Sequence, residues 1–116
     1  MIQRQIVGRR LAGFGVPTPE SASIARRAMG DRLVVASGGI RTGMDAAVAL
    51  ALGADVVAFA RPLLEAAVNG EDAIVEALET FLFELRVICF CTGARTPADL
   101  RGVRVIDARA GWPIEP

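Results

Sequence analysis

The chain has 116 residues, room for one modest domain. Thirteen basic residues balance thirteen acidic ones, so no net charge draws it to nucleic acid or to an anionic membrane. It has no histidine, which removes histidine-based triads and histidine–metal sites from its own chemistry.

The apolar fraction, 53 %, is high for a small domain. The apolar runs are nonetheless too short, and too interrupted by charge, to span a bilayer. The surplus predicts surface buried against another chain or a further segment. Met1-Ile2-Gln3-Arg4 leads into more arginines rather than a secretory leader, so a cytoplasmic setting is expected.

In chain order, residues 2–12 set Ile2, Ile6, Val7 and Leu11 against Arg4, Arg9 and Arg10, which reads as a short amphipathic helix. A Gly/Pro-rich link follows. Thr18-Pro19-Glu20 then looks like a helix start, with Thr18 as N-cap, proline at the first helical position and an acid in the first turn. Ala22, Ala25, Ala28 and Met29 share one face of that helix, and Gly30 ends it.

Leu33-Val34-Val35-Ala36 is apolar without alternation, the pattern of a strand covered on both faces. Ser37-Gly38-Gly39-Ile40-Arg41 follows as a turn, and Thr42 with Asp45 has capping-box spacing, so a helix begins near Gly43. Such a turn aims backbone N–H groups, at the positive end of a helix dipole, at one spot that suits a phosphate. Arg41 adds a fixed charge capable of a bidentate contact. The plainer alternative is a strand-to-helix turn that simply needed small residues.

The helix that follows, about Asp45 to Leu52, is almost wholly Ala, Val and Leu, so it must be packed on most sides. Gly53 suits its C-terminal cap. Val56 to Ala60 is a second apolar strand, giving the spacing of a βαβ crossover. Arg61-Pro62 opens another helix and Asn69-Gly70 breaks it. The longest helix runs from Glu71 to Thr92, with Ile74, Leu78, Phe81, Leu85 and Ile88 as a core stripe that Val75, Leu82 and Cys89 widen. The two cysteines, Cys89 and Cys91, lie two apart on that helix and read as buried thiols rather than a disulfide or zinc ligands. Thr96-Pro97-Ala98-Asp99 starts a short last helix. Residues 103–116 read as an irregular tail.

Two parallel strands, each apolar on both faces, need neighbours on both sides. The fold class is therefore α/β, and the pattern reads as the C-terminal part of a (β/α)8 TIM barrel: its last two strands and their helices, with residues 1–116 as a partial barrel domain. In such barrels the loops after strands seven and eight often build a phosphate site. Here two consecutive strands each end in an arginine-bearing turn, at Gly39-Ile40-Arg41 and Ala60-Arg61-Pro62.

Gly15-Val16-Pro17-Thr18, Ser37-Gly38-Gly39-Ile40-Arg41-Thr42-Gly43, Ala51-Leu52-Gly53-Ala54-Asp55, Ala60-Arg61-Pro62-Leu63 and Cys91-Thr92-Gly93-Ala94-Arg95-Thr96 together resemble the C-terminal part of type 2 isopentenyl-diphosphate isomerase. That family is a flavin-dependent (β/α)8 barrel that interconverts isopentenyl and dimethylallyl diphosphate with reduced FMN, a nicotinamide cofactor such as NADPH, and Mg2+. The Ser-Gly-Gly-Ile-Arg-Thr-Gly loop is shared with FMN-dependent α-hydroxy-acid oxidases and glutamate synthases. The Gly-Val-Pro-Thr and Cys-Thr-Gly-Ala-Arg-Thr segments favour the isomerase.

The resemblance implies FMN-phosphate contacts from Ser37, Gly38, Gly39, Ile40 and Arg41 after the seventh strand, and from Ala60 and Arg61 after the eighth. It assigns no catalytic residue and no metal ligand to this chain, because those belong to the family's first six strands. It also implies FMN and, in a completed barrel, isopentenyl diphosphate as ligands, with the rest of the barrel or further copies of the chain needed to complete it. Two other readings remain: part of another FMN barrel of the oxidase or glutamate synthase type, or a non-catalytic partial-barrel module that associates with itself.

Overall fold

The computed structural model describes residues 2–107 and, for the backbone, 112–114. Helix α1 spans Ile2–Arg10 and α2 spans Thr18–Met29. Strand β1 (Val35–Ser37) leads into α3 (Gly43–Ala51), and β2 (Val56–Ala58) into α4 (Arg61–Ala67) and α5 (Glu71–Thr92). A 3-10 turn at Pro97–Leu100 precedes β3 (Val105–Asp107) and β4 (Trp112–Ile114).

β1 and β2 are parallel neighbours, with Val35 opposite Val56, Ala36 opposite Val57 and Ser37 opposite Ala58. The βαβ reading therefore holds, and α3 is its crossover. β3 and β4 form a separate antiparallel pair, with Val105 opposite Ile114. The expected irregular tail is thus partly ordered: Val103 and Val105 pack against the core, an anchor that fourteen residues of mixed composition did not announce. Residues 108–111, 115 and 116 of that tail lie outside the described residues.

The core lies on one side of the parallel pair. Val34 and Ala36 turn toward the helices and join Ala22, Ile40, Ala46, Ala49, Leu52, Ala54 and Phe81. A second cluster links Ala47 and Leu50 of α3 to Leu85 and Cys89 of α5 and to Leu100. As predicted, α3 is buried nearly all round, and its alanines allow that because small side chains let helices approach closely. Gly43 marks the tightest point: a Cβ there would lie 2.6 Å from the Glu84 Cβ and 2.7 Å from the Phe81 carbonyl oxygen. The Phe81 ring stacks on Phe59 at 4.1 Å.

Several expectations are corrected. β1 is not covered on both faces: Val35 is 52 % exposed and Leu33 67 % exposed. Strand side chains alternate, and among the described residues no layer packs on the side that Val35 and Val56 present. α1 is a helix but buries nothing: Ile2, Ile6, Val7 and Leu11 are all exposed. Only Ala22 and Ser23 of α2 are buried, while Ala28 and Met29 are exposed. Val75 and Leu82 do not widen the α5 stripe but face outward. Cys89 is buried as expected, whereas Cys91, two residues on, is exposed.

Candidate functional site

The site begins where β1 ends. Ser37 is the last strand residue and lies opposite Ala58, so the segments that follow the two strands emerge side by side, about 5 Å apart at the strand ends. Gly38 and Gly39 have φ of 96° and 72°, a left-handed conformation that side chains with a Cβ rarely adopt. Two such residues in succession curl the chain back over the strand end.

Ile40 anchors the curl: its side chain is 6 % exposed and belongs to the core. The turn is closed by Asp45, one carboxylate oxygen of which accepts from the N–H of Arg41 at 2.9 Å and of Thr42 at 3.0 Å. The Thr42 hydroxyl in turn accepts from the Asp45 N–H at 3.2 Å, completing the predicted capping box. The next donor, the Gly43 N–H, goes to Glu84 of α5 at 2.7 Å. At the start of α3 the N–H groups of Thr42, Gly43 and Asp45 are therefore taken by the protein's own side chains. The free donors sit earlier, in the glycine turn: among the described residues the N–H groups of Gly39 and Ile40 meet no protein acceptor.

Thr18 supplies the contact that sequence reasoning missed. It is not the N-cap of α2; Pro17 occupies that position and has no side chain to offer. The Thr18 hydroxyl instead donates to the Gly38 carbonyl at 2.7 Å, with a longer 3.4 Å approach to the Ser37 carbonyl. The peptide joining Gly38 to Gly39 is trans, like every peptide described, so its C=O and N–H point opposite ways. Fixing the carbonyl on Thr18 turns the Gly39 N–H away from α2. A Thr-Pro pair before a helix carries two readings, a cap or a tether, and only the position of the glycine turn separates them. Thr18, Pro19, Gly38, Gly39 and Ile40 also line a cleft of about 220 Å³ between α2 and α3.

The second arm is the start of α4. Ala60 is its N-cap residue and gives no side-chain cap. The Arg61 side chain lies on the surface, where its Nε donates to Glu65 at 2.9 Å with both groups about 70 % exposed. Such a pair contributes only about 0.3–0.5 kcal/mol, so Arg61 exchanges partners at little cost. Arg41 is exposed beside the glycine turn and makes no ion pair among the described residues. The fold thus gathers Ser37, Gly38, Gly39, Ile40, Arg41, Ala60 and Arg61 at one end of the two strands. They offer backbone donors and two guanidinium groups, a set whose chemistry matches a phosphate dianion.

The opposite end of the strands is built for stability. Asp55, just before β2, accepts from the Val34 N–H at 2.8 Å and from the guanidinium groups of Arg26 and Arg101. The Val34 N–H first, and then Arg101, hold its carboxyl down at about 2. Arg26 also reaches the carbonyls of Gly53 at 2.7 Å and Gly30 at 2.5 Å, tying α2 to the end of α3. Asp99 is lowered too, chiefly by the Thr96 N–H and then by the Thr96 side chain, with the Arg95 N–H adding to it. Among the described residues no cluster of acids and cysteines could hold a metal, and no helix is long and apolar enough to cross a membrane.

Comparison with known proteins adds to this geometry. Residues 7–106 match the family described as FMN-dependent dehydrogenase. The chain is 52 % identical over 99 residues to an isopentenyl-diphosphate delta-isomerase of Mycobacterium marinum, covering 85 % of this chain and 28 % of that protein. It is 38 % identical over 107 residues to the enzyme of that name from Stutzerimonas stutzeri, covering 92 % of this chain and 31 % of that one. The Deinococcus radiodurans enzyme of the same name is 46 % identical over 98 residues, 84 % of this chain and 29 % of the relative. A crystal structure of mandelate oxidase with (S)-2-phenylpropionate superposes with a TM-score of 0.69 at 33 % identity, over 76 % of this chain and 27 % of that chain. This chain therefore spans between a quarter and a third of the length of the relatives it matches.

Proposed function

The chain belongs to the FMN-dependent dehydrogenase family, and from that premise we propose that it is the FMN-phosphate-binding portion of a type 2 isopentenyl-diphosphate isomerase. The isomerase reading, rather than an oxidase, rests on the shared name of the relatives at 38–52 % identity. When bound, reduced FMN supplies the acid–base chemistry for moving an allylic proton between isopentenyl and dimethylallyl diphosphate. NADPH, Mg2+ and a cytoplasmic setting come with the same reading.

The observation that carries the phosphate assignment is the pair of unpartnered N–H groups on Gly39 and Ile40 beside two exposed arginines. The residues present fit the group. Gly39 and Ile40 donate from the backbone, and Arg41 supplies a guanidinium without leaving another acid. Arg61 releases Glu65 to join them, while the uncapped start of α4 gives a second set of donors next to Ala60. Their part is to hold the cofactor's tail and so fix the position of its ring. They bind and orient, and no proton is assigned to them.

A chimera tests the proposal. Residues 7–106 of this chain would replace the matching segment of the Mycobacterium marinum isomerase, and conversion of isopentenyl diphosphate would be followed with FMN, NADPH and Mg2+. Activity near that of the parent is the expected result. A folded chimera that retains FMN but does not isomerise the substrate would contradict the isomerase reading.

A further inference from the structure

The outer face of α5 has no role in the phosphate site, and its chemistry is not that of a solvated helix. Val75, Glu79, Leu82, Phe83, Arg86 and Phe90 fall within a sector of about 100°, flanking the buried stripe of Phe81, Leu85 and Cys89. Phe83 is 67 % exposed and Phe90 86 %, with Val75 and Leu82 about half exposed. A shallow groove lined by Glu79, Thr80, Leu82, Phe83 and Arg86 runs along the same face.

The two charges in this stripe are unexplained within the helix. Glu79 and Arg86 are two turns apart, beyond the reach of a pair at i,i+3 or i,i+4, and neither makes an ion pair among the described residues. Their placement is symmetric, however. Glu79 lies three residues before Leu82, and Arg86 lies three residues after Phe83. Val75 lies seven before Leu82, and Phe90 seven after Phe83. An antiparallel copy of the helix, related by a twofold axis between Leu82 and Phe83, would set each Glu79 against an Arg86. It would also set Val75 against Phe90 and Leu82 against Phe83. Glu79 meets its opposite in Arg86 and each of these apolar side chains meets an apolar one, the self-complementarity a twofold contact demands, while Asp72, at the first turn of the same sector, falls against Gly93.

We propose that the outer face of α5 is a twofold docking surface for a second copy of this chain, joined helix to antiparallel helix with reciprocal Glu79–Arg86 pairs at its flanks. One helix pair lies at the small end of stable interfaces, so the association is reversible on dilution.

Sedimentation of the full chain and three variants tests this. Glu79→Arg sets arginine against arginine and Arg86→Glu sets glutamate against glutamate, so each is expected to weaken self-association at least tenfold. The double variant, Glu79→Arg with Arg86→Glu, restores opposite charges across the axis and regains most of the affinity. Circular dichroism, unchanged in all four, separates lost association from lost folding. A monomeric unsubstituted chain would assign the face to a different polypeptide and overturn the proposal. Single reversals that leave the mass unchanged, or a double variant no better than the singles, would overturn it equally.

Discussion

The hydroxyl of Thr18 holds the carbonyl of Gly38 at 2.7 Å, across twenty residues of chain. Through the planar peptide that follows, this bond sets the direction of the Gly39 N–H. Thr18→Val, which keeps the shape and removes the donor, is expected to lower FMN affinity while leaving riboflavin affinity unchanged. The drop is about twofold to tenfold, the range for one neutral hydrogen bond. Thr18→Ser should restore most of it. Equal losses for FMN and riboflavin would show that the substitution disturbs the fold rather than the phosphate turn.

The two arginines are expected to differ. Arg41 has no acid to give up, whereas Arg61 must leave Glu65. Arg41→Ala should therefore weaken FMN binding by about 1.5–3 kcal/mol, the range for a charge-assisted contact. Arg61→Ala should cost less, and Glu65→Ala should slightly strengthen binding. Fluorescence titration of flavin gives all three values, and an Arg61 variant weaker than the Arg41 variant would reverse the assignment.

Gly43 is a packing requirement as well as a helix start. An alanine Cβ would lie within 2.7 Å of α5 backbone atoms, at Leu85 N and Phe81 O. Gly43→Ala is expected to destabilise the chain by about 1–3 kcal/mol, as overpacking does. Urea unfolding measures it, and a stability equal to that of the unsubstituted chain would mean that α3 and α5 separate more readily than their contact suggests.

Asp55 gives the fold an acid limit. Its carboxyl titrates near 2 in the folded chain and near 4 when unfolded. Between those values the unfolded chain binds the extra proton, so stability rises with pH across that window. The contribution is complete above about pH 4 and is lost as pH falls toward 2. Thermal unfolding followed from pH 5 to pH 2 should show a steep fall that Asp55→Asn flattens, with a lower midpoint at neutral pH. Parallel curves for the two proteins would remove Asp55 from this role.

Much of this was legible in the residues because local rules decided it. Thr42 with Asp45 specified the start of α3, paired glycines specified the turn at 38–39, and the alanine-rich run specified a helix buried on most sides. Parallel pairing followed from a strand, a helix and a strand at crossover spacing. The failures came where a distant partner decided the outcome. A Thr-Pro pair at a helix start suggests a cap for Thr18, yet its acceptor lies twenty residues away. Glu84 reaches Gly43 across two packed helices, and no spacing rule announces that. Val and Leu in succession suggest strands covered on both faces, but only the side of Val34 and Ala36 is packed.

The central claim is that this chain carries a site for the phosphate of FMN. The direct measurement is a pair of titrations of the 116-residue chain, one with FMN and one with riboflavin, which differ only in that phosphate. The account predicts that FMN binds at least tenfold more tightly, with the largest amide shifts at Gly39, Ile40 and Arg61. Equal affinity for the two flavins would contradict it.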